Sequence, residues 1–371
     1  MRQLCKALPA LIGAAMPLAA AADTFVYGSF VPGSDYLNSD TLPHVFQMIS
    51  DGTDGEIEWD LIVGGQLADG AGTFSAVEDR MMEAGLAIPL YAPSTVPNLA
   101  FLYSIVVPGD DLGAYIGAAM ETIFQDCPGC LDDIGRTNAI PLGGFSNAAN
   151  SLMCTRPVAT LADLQGLRIR AVGGFGDMVA AGGAMPMSIT LAETVTVLQR
   201  GGAECVVGAA EWLATYSYGD SAKYVTDLPL GANAPAVGLY MNREAFHEMT
   251  PEQQDVTLRA AAHLSAMQTI GNFVRKNAES LQRQIDTNGV QLVTPEQDLI
   301  DHVTAFPAGD RERRIEAGRQ IGVTDPEALY DAYMANVEKW RGISAEIGED
   351  VDALAQRIYD EAFADLDPST L

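Results

Sequence analysis

The sequence predicts an α/β fold of two open, doubly wound sheets, and three observations carry that expectation. Short strand-like runs alternate with helical stretches in two separate blocks, one before Leu90 and one after Asn150. The 371 residues suffice for two ordinary domains. A helical pattern running from Thr250 to Asn288 is longer than one small domain is wide, so it should lie across both.

The N-terminus comes first. Arg2 and Lys6 precede a run of small and apolar residues from Ala7 to Ala19, and Ala20-Ala21-Ala22 stands before Asp23. That order of charged, apolar and small residues reads as a secretory signal peptide over 1–22, whose apolar part is too short to span a bilayer. The mature chain is therefore expected to be exported, and loss of Arg2 and Lys6 takes the formal charge from −28 to −30.

Thr24 to Phe30 is strand-like and ends in the loop Val31-Pro32-Gly33-Ser34, ahead of a helical stretch through Ile49. Glu56 to Val63 alternates as a second strand, Phe74 to Ala84 reads as a short helix, and Leu86 to Leu90 as a buried segment. The rhythm resumes after Cys130. Asn150–Thr155, Leu167–Val172, Met185–Ile189 and Glu204–Val207 read as strands, with helices at Met178–Ala181 and Glu193–Arg200. Strands separated by helices argue for parallel sheets rather than hairpins.

The long helix has a well-marked start: Thr250 can accept a bond from the backbone at N3, Pro251 fits N1, and Glu252 favours the positive end of the dipole. Val256, Ala260, Leu264, Met267, Ile270, Val274, Ala278, Leu281 and Ile285 then recur every three or four residues, and Asn288-Gly289 supplies the stop. Charged helical segments follow over Glu296–His302, Pro326–Ile347 and Val351–Ala364.

Composition narrows the function. With 49 acidic against 21 basic residues, the surface repels phosphate backbones and anionic headgroups, so nucleic acid and peripheral membrane docking are excluded as readings. His44, His247, His263 and His302 are scattered without metal-ligand spacing or a nearby nucleophile motif, and no acid and base converge as an enzyme would need. No metal or cofactor is expected. Cys127, Cys130, Cys154 and Cys205 are an even number in an oxidising compartment, which predicts two disulfides. Sequence does not choose among the three pairings; the preferred one is Cys127 with Cys130, across a tight Pro128-Gly129 turn, and Cys154 with Cys205. A redox role for the first pair is disfavoured because Leu131-Asp132-Asp133 reads as loop rather than helix.

The informative stretch runs from Leu161 to Arg170 (LADLQGLRIR), through AVGGFG and GAMPMSITLAETVTVLQRGGAECVVG, to SAKYVTDLPLG. With Gly64-Gly65-Gln66-Leu67 and the Thr250-Pro251-Glu252-Gln253 helix start, these residues resemble, in order and spacing, the solute-binding proteins of TRAP transporters. The resemblance implies a periplasmic receptor of the two-domain binding-protein type, which closes on a small organic acid anion and delivers it to membrane permease subunits. Its alternatives are the receptor of an ABC importer or an exported enzyme acting on an organic acid. It also implies discontinuous domains, 23–148 with 236–275 and 149–235 with 276–371, the second carrying the C-terminal helices. Since some members dimerise through such helices, a homodimer is an expectation too.

The resemblance assigns the carboxylate anchor to Arg170, and physics agrees. Arg170 is the basic residue nearest the carboxyl end of its strand, where ligands of open α/β sheets sit, and its planar fork can hold a carboxylate through two parallel hydrogen bonds. Arg168 shares its face but lies further back. By resemblance Phe30, Gln66, Phe145, Asn147, Phe175, Gly208 and Trp212 line the cleft. Gly208 stands where several members have Asn, Cys205 where the family has Gly, and Glu204 where Asp is common. Glu211-Trp212 is reminiscent of a pair that holds a cation in one branch of the family, but it falls about four positions late.

Overall fold

The computed structural model describes residues 23–371; the expected signal peptide and Cys5 lie outside the described residues. Eleven strands follow in chain order: β1 Asp23–Gly28, β2 Ile57–Ile62, β3 Ala84–Ala87, β4 Ala139–Phe145, β5 Ser151–Cys154, β6 Arg168–Arg170, β7 Met185–Met187, β8 Cys205–Gly208, β9 Tyr224–Thr226, β10 Ala236–Asn242 and β11 Gln291–Val293. They form two sheets, with order β2-β1-β3-β10-β4 and β11-β9-β5-β8-β6-β7.

The parallel expectation needs one correction in each sheet. β1 pairs in parallel with β2 and β3, and β8 with β6, but β10 runs antiparallel to β3 and β4, and β5 antiparallel to β8 and β9. The two reversed strands are those the chain enters on passing from one sheet to the other, β4 to β5 and β9 to β10. No helix intervenes at either passage, so the strand is not carried back to the edge from which a parallel neighbour would start. Four strands, β4, β9, β10 and β11, were not anticipated at all. β4 and β10 are buried along their whole length and so lack the alternation that marks a half-exposed strand.

The long helix spans Pro251–Asn288 as two α-helical stretches joined by a π-helical one, Met267–Lys276. It opens on a capping box between Thr250 and Gln253 and ends at Gly289, whose φ of 70° suits glycine. Its first part packs on β4 and helix Leu42–Gly52, its last part on helix Trp212–Thr215 of the second sheet's side. The π-helical middle packs on helices Leu112–Glu121 and Val351–Ile358 and brings Gln268 and Phe273 to the cavity described below.

Two further departures have local causes. The expected Phe74–Ala84 helix stops at Glu78, because Arg80 takes a positive φ and the chain turns into β3. The segment after Cys127 is not a loop but helix Pro128–Thr137, with Cys127 at the N-cap and Pro128 at N1. The C-terminal helices Pro326–Ile347 and Val351–Ile358 pack on helices Leu112–Glu121 and Pro251–Ala266 of the first sheet's side, rather than on the second unit to which the expectation assigned them. Trp340 is fully buried against Gly117, where any Cβ would meet its ring, and its indole N–H donates to Glu121 at 2.6 Å. Tyr333, Val337, Leu354 and Ile358 are buried in the same packing, so the apolar face of these helices is covered within the chain and lends no support to a dimer.

Both preferred disulfides are formed, Cys127–Cys130 and Cys154–Cys205. Cys154 and Cys205 sit opposite each other on β5 and β8, and Cys205 is also paired with Ile169 of β6, next to Arg170. Closing 51 residues of chain removes more unfolded-state entropy than closing three. Replacing Cys154 and Cys205 by Ser should therefore cost about 4 kcal/mol, and replacing Cys127 and Cys130 about half of that; chemical denaturation of the two double variants is the check.

Candidate functional site

Between the two sheets lies a cavity that gives the centre of a water-sized sphere about 50 Å³, room for several waters. The loop after β1 delivers Phe30 and Asp35 to it, the segment after β3 Tyr91, the end of β4 Phe145 and the chain just past it Asn147, β6 Arg170, helix Gly174–Ala181 Phe175, and helix Trp212–Thr215 with the residue after it Trp212 and Tyr216. Of the residues expected to line a cleft, Phe30, Phe145, Asn147, Arg170, Phe175 and Trp212 meet here. Gln66 does not. It is exposed, and its amide turns back to the Val63 carbonyl at 3.0 Å.

Gly208 also stands outside the lining, for an informative reason. A Cβ at this position would collide with the Trp212 ring. The glycine is what admits Trp212 to the wall, so the side chain lost at 208 is replaced in space by the indole.

Arg170 is 3% exposed. Its Nε donates to the Ile189 carbonyl at 3.1 Å, while its two terminal nitrogens make only long contacts, 3.5 Å to the Val207 carbonyl and 3.4 Å to the Tyr91 hydroxyl. The guanidinium stands 5.9 Å from the Trp212 ring centroid, a cation-π distance. Among the described residues no carboxylate pairs with it. A buried cation without an anion is costly, and here the nitrogens that remain weakly engaged are those of the carboxylate-binding fork. Arg168 differs in this respect. It is half-exposed and bound by Glu204 through its backbone N–H at 2.8 Å and its side chain at 3.2 Å, so the Glu at 204 occupies the other arginine of the strand.

Aromatic rings form most of the remaining wall. Phe145 stacks on Phe273 at 5.7 Å, Phe30 lies 6.0 Å from Tyr91, and Trp212 meets Tyr216 edge-on at 6.1 Å. Amides are held in place between them: Asn147 donates to the Tyr103 hydroxyl and, at 3.2 Å, to Asn233, whose own amide donates to the Tyr103 carbonyl at 2.8 Å. Burial pushes the Tyr91 and Tyr103 hydroxyls up, so both stay protonated donors at neutral pH.

Sequence reasoning missed Asp35, Tyr91, Tyr103, Tyr216, Asn233, Gln268 and Phe273. Asp35 accepts from the Leu37 backbone N–H at 3.0 Å and from the Tyr216 hydroxyl at 3.0 Å. Burial raises its pKa. Behind it Glu211, 4% exposed, is pushed up to about 8, first by burial and then by the Asp35 charge. Glu211 is hydrogen-bonded to Thr215. Among the described residues no group of three or more His, Cys, Asp or Glu is placed to hold a metal ion, and no helix is long and apolar enough to cross a membrane.

Residues 29–304 match the model of the bacterial extracellular solute-binding protein family 7. A TRAP periplasmic solute-binding protein from Bordetella bronchiseptica, with bound (R)- and (S)-mandelate, superposes with a TM-score of 0.71 over 85% of this chain and 99% of its own, at 22% identity. An extracytoplasmic solute receptor of Bordetella pertussis binding pyroglutamic acid gives 0.69 over 84% and 100%, at 18% identity. A marine metagenome TRAP solute-binding protein in complex with 3-hydroxybenzoate gives 0.76 over 86% and 99%, at 16% identity. These likenesses establish the two-layer fold, and the family match extends over both sheets. The chain belongs to the bacterial extracellular solute-binding protein family 7, the solute receptors of TRAP transporters, which are binding proteins and not enzymes.

Proposed function

We propose that this protein is a periplasmic receptor that encloses a small carboxylate-bearing solute between its two sheets, with Arg170 as the anchor, and hands it to a TRAP membrane permease. The observation that carries the reading is the buried Arg170 guanidinium, which faces a cavity and has no carboxylate partner among the described residues. A ligand carboxylate would complete its charge and accept from both terminal nitrogens, with the Tyr91 hydroxyl beside them as a further donor. Phe30, Phe145, Phe175 and Trp212 would cover the ligand's body. Closure is then a population shift, driven by the ligand's higher affinity for the closed form. The acids bound by the structural neighbours, mandelate, pyroglutamic acid and 3-hydroxybenzoate, are of a size and charge consistent with this reading.

A thermal-shift screen over aromatic, hydroxy, dicarboxylic, sugar and amino acids tests it. A ligand at a hundred times its Kd should raise the melting temperature by roughly 3–5 °C, and the primary amide of the same acid should leave it unchanged. If no carboxylate stabilises the protein, or if the amide serves as well as the acid, the reading fails.

A further inference from the structure

The cavity carries a second charge. Among the residues that line it, Arg170 and Asp35 are the two that ionise as cation and anion, and they come from opposite sheets. Neither neutralises the other: among the described residues no ion pair or hydrogen bond joins them. Asp35 is 7% exposed, and each of its oxygens holds a single partner, Leu37 N–H on one and Tyr216 O–H on the other. A carboxylate oxygen can accept two bonds, so this one retains capacity toward the cavity it lines. Glu211 lies behind it, its carboxyl pushed up to about 8 by burial and the Asp35 charge, and so leaves Asp35 as the negative charge of that wall.

A plain carboxylic acid would satisfy Arg170 and leave Asp35 buried beside added negative charge. A solute with a carboxylate at one end and a cationic nitrogen at the other would satisfy both walls. We infer that the ligand of this receptor is a zwitterion of amino-acid type, its carboxylate on Arg170 and its positively charged nitrogen against Asp35 within the Phe30, Trp212, Tyr216 and Phe273 rings. The rings add to the effect, since aromatic faces attract a desolvated cation. This inference rests on the carboxylate-receptor reading above and narrows it.

Two pairs of probes, matched in shape and differing in the nitrogen, test it on the full mature chain: proline with cyclopentanecarboxylate, and glycine betaine with 3,3-dimethylbutanoate. In calorimetric titration the nitrogen-bearing member of at least one pair should bind about tenfold tighter or more, the size of one buried charge contact. Asp35→Asn, which keeps the shape, accepts from Leu37 through its amide oxygen and can donate its amide N–H to the Tyr216 hydroxyl, should erase that preference. If the uncharged member binds as well or better, or if Asp35→Asn keeps the preference, the inference is overturned. The comparison on the unaltered protein decides even where the variant fails to fold. Failure of all four probes while some nitrogen-free acid binds would sink the zwitterion and leave the receptor reading standing. If no carboxylate of any kind binds, both fall.

Discussion

Replacing Arg170 with Ala is expected to weaken carboxylate binding by about 100-fold, within the 2–5 kcal/mol that loss of one partner from a buried charge pair costs, and to leave the unliganded protein as stable as before. The second half of that expectation separates a binding role from a structural one. A buried arginine that serves the fold is paired, and its removal strands a carboxylate at a cost of about 3–5 kcal/mol. Arg314 is such a residue, enclosed by Asp310 and Asp177. Arg170 has a carbonyl, two long contacts and a ring, so truncation strands no anion. Arg170→Lys should recover part of the affinity, since it keeps the charge but not the fork. Titration calorimetry with any acid from the screen, alongside melting of the ligand-free variants, gives both readouts. An unchanged Kd, or a large loss of stability with an unchanged Kd, would reassign Arg170 to the framework.

The proposed anchor, Arg170, is legible in the sequence because its surroundings are local. The strand Leu167–Val172, the turn after it and the position of Arg170 at the carboxyl end all lie within a few residues, and the resemblance is densest there. The long helix was legible for a similar reason: its cap, apolar period and αL stop are consecutive. What stayed hidden depends on how distant segments are brought together. Asp35 reads as one more acid in a chain with 49 acidic residues, and only the Tyr216 hydroxyl, 181 residues away, marks it as part of the site. Tyr103 and Asn233 join Asn147 across 44 and 86 residues. β4 and β10 were lost because full burial removes the alternation that betrays a strand. Gly208 reads by resemblance as a lining position, whereas in the structure its lack of a side chain is what seats Trp212. The glycine and the indole are one feature, and four residues of sequence separate its halves.

The second large effect expected is a loss of stability with rising pH that Glu211→Gln removes. Burial and the neighbouring Asp35 hold the Glu211 carboxyl at about 8 in the folded protein, against 4.5 for a free glutamate. The folded state therefore keeps a proton that the unfolded chain has released. Stability from this group is fully present below pH 4.5, declines above it, and is exhausted once pH passes about 8. Between pH 6.5 and 8.5 the loss should amount to about 2 kcal/mol, at ~1.4 kcal/mol per unit. Asp35, also raised by burial, acts in the same direction, and Glu211→Gln separates its share from that of Glu211. Asp310, raised by burial to about 6, acts in the same direction but is spent below that window. The pKa of His44 is lowered, first by burial, so the stability it withholds at low pH returns as pH rises past its free value of 6.5, opposite in sign to the Glu211 fall. Denaturant midpoints at the two pH values should fall for the native sequence and stay nearly level for Glu211→Gln, whose amide can still accept from Thr215. If the variant retains the full fall, the titrating group lies elsewhere. If it flattens the curve, the wall behind Asp35 is protonated at neutral pH in the folded protein, and Asp35 is left as the single negative charge that faces Arg170 across the cavity.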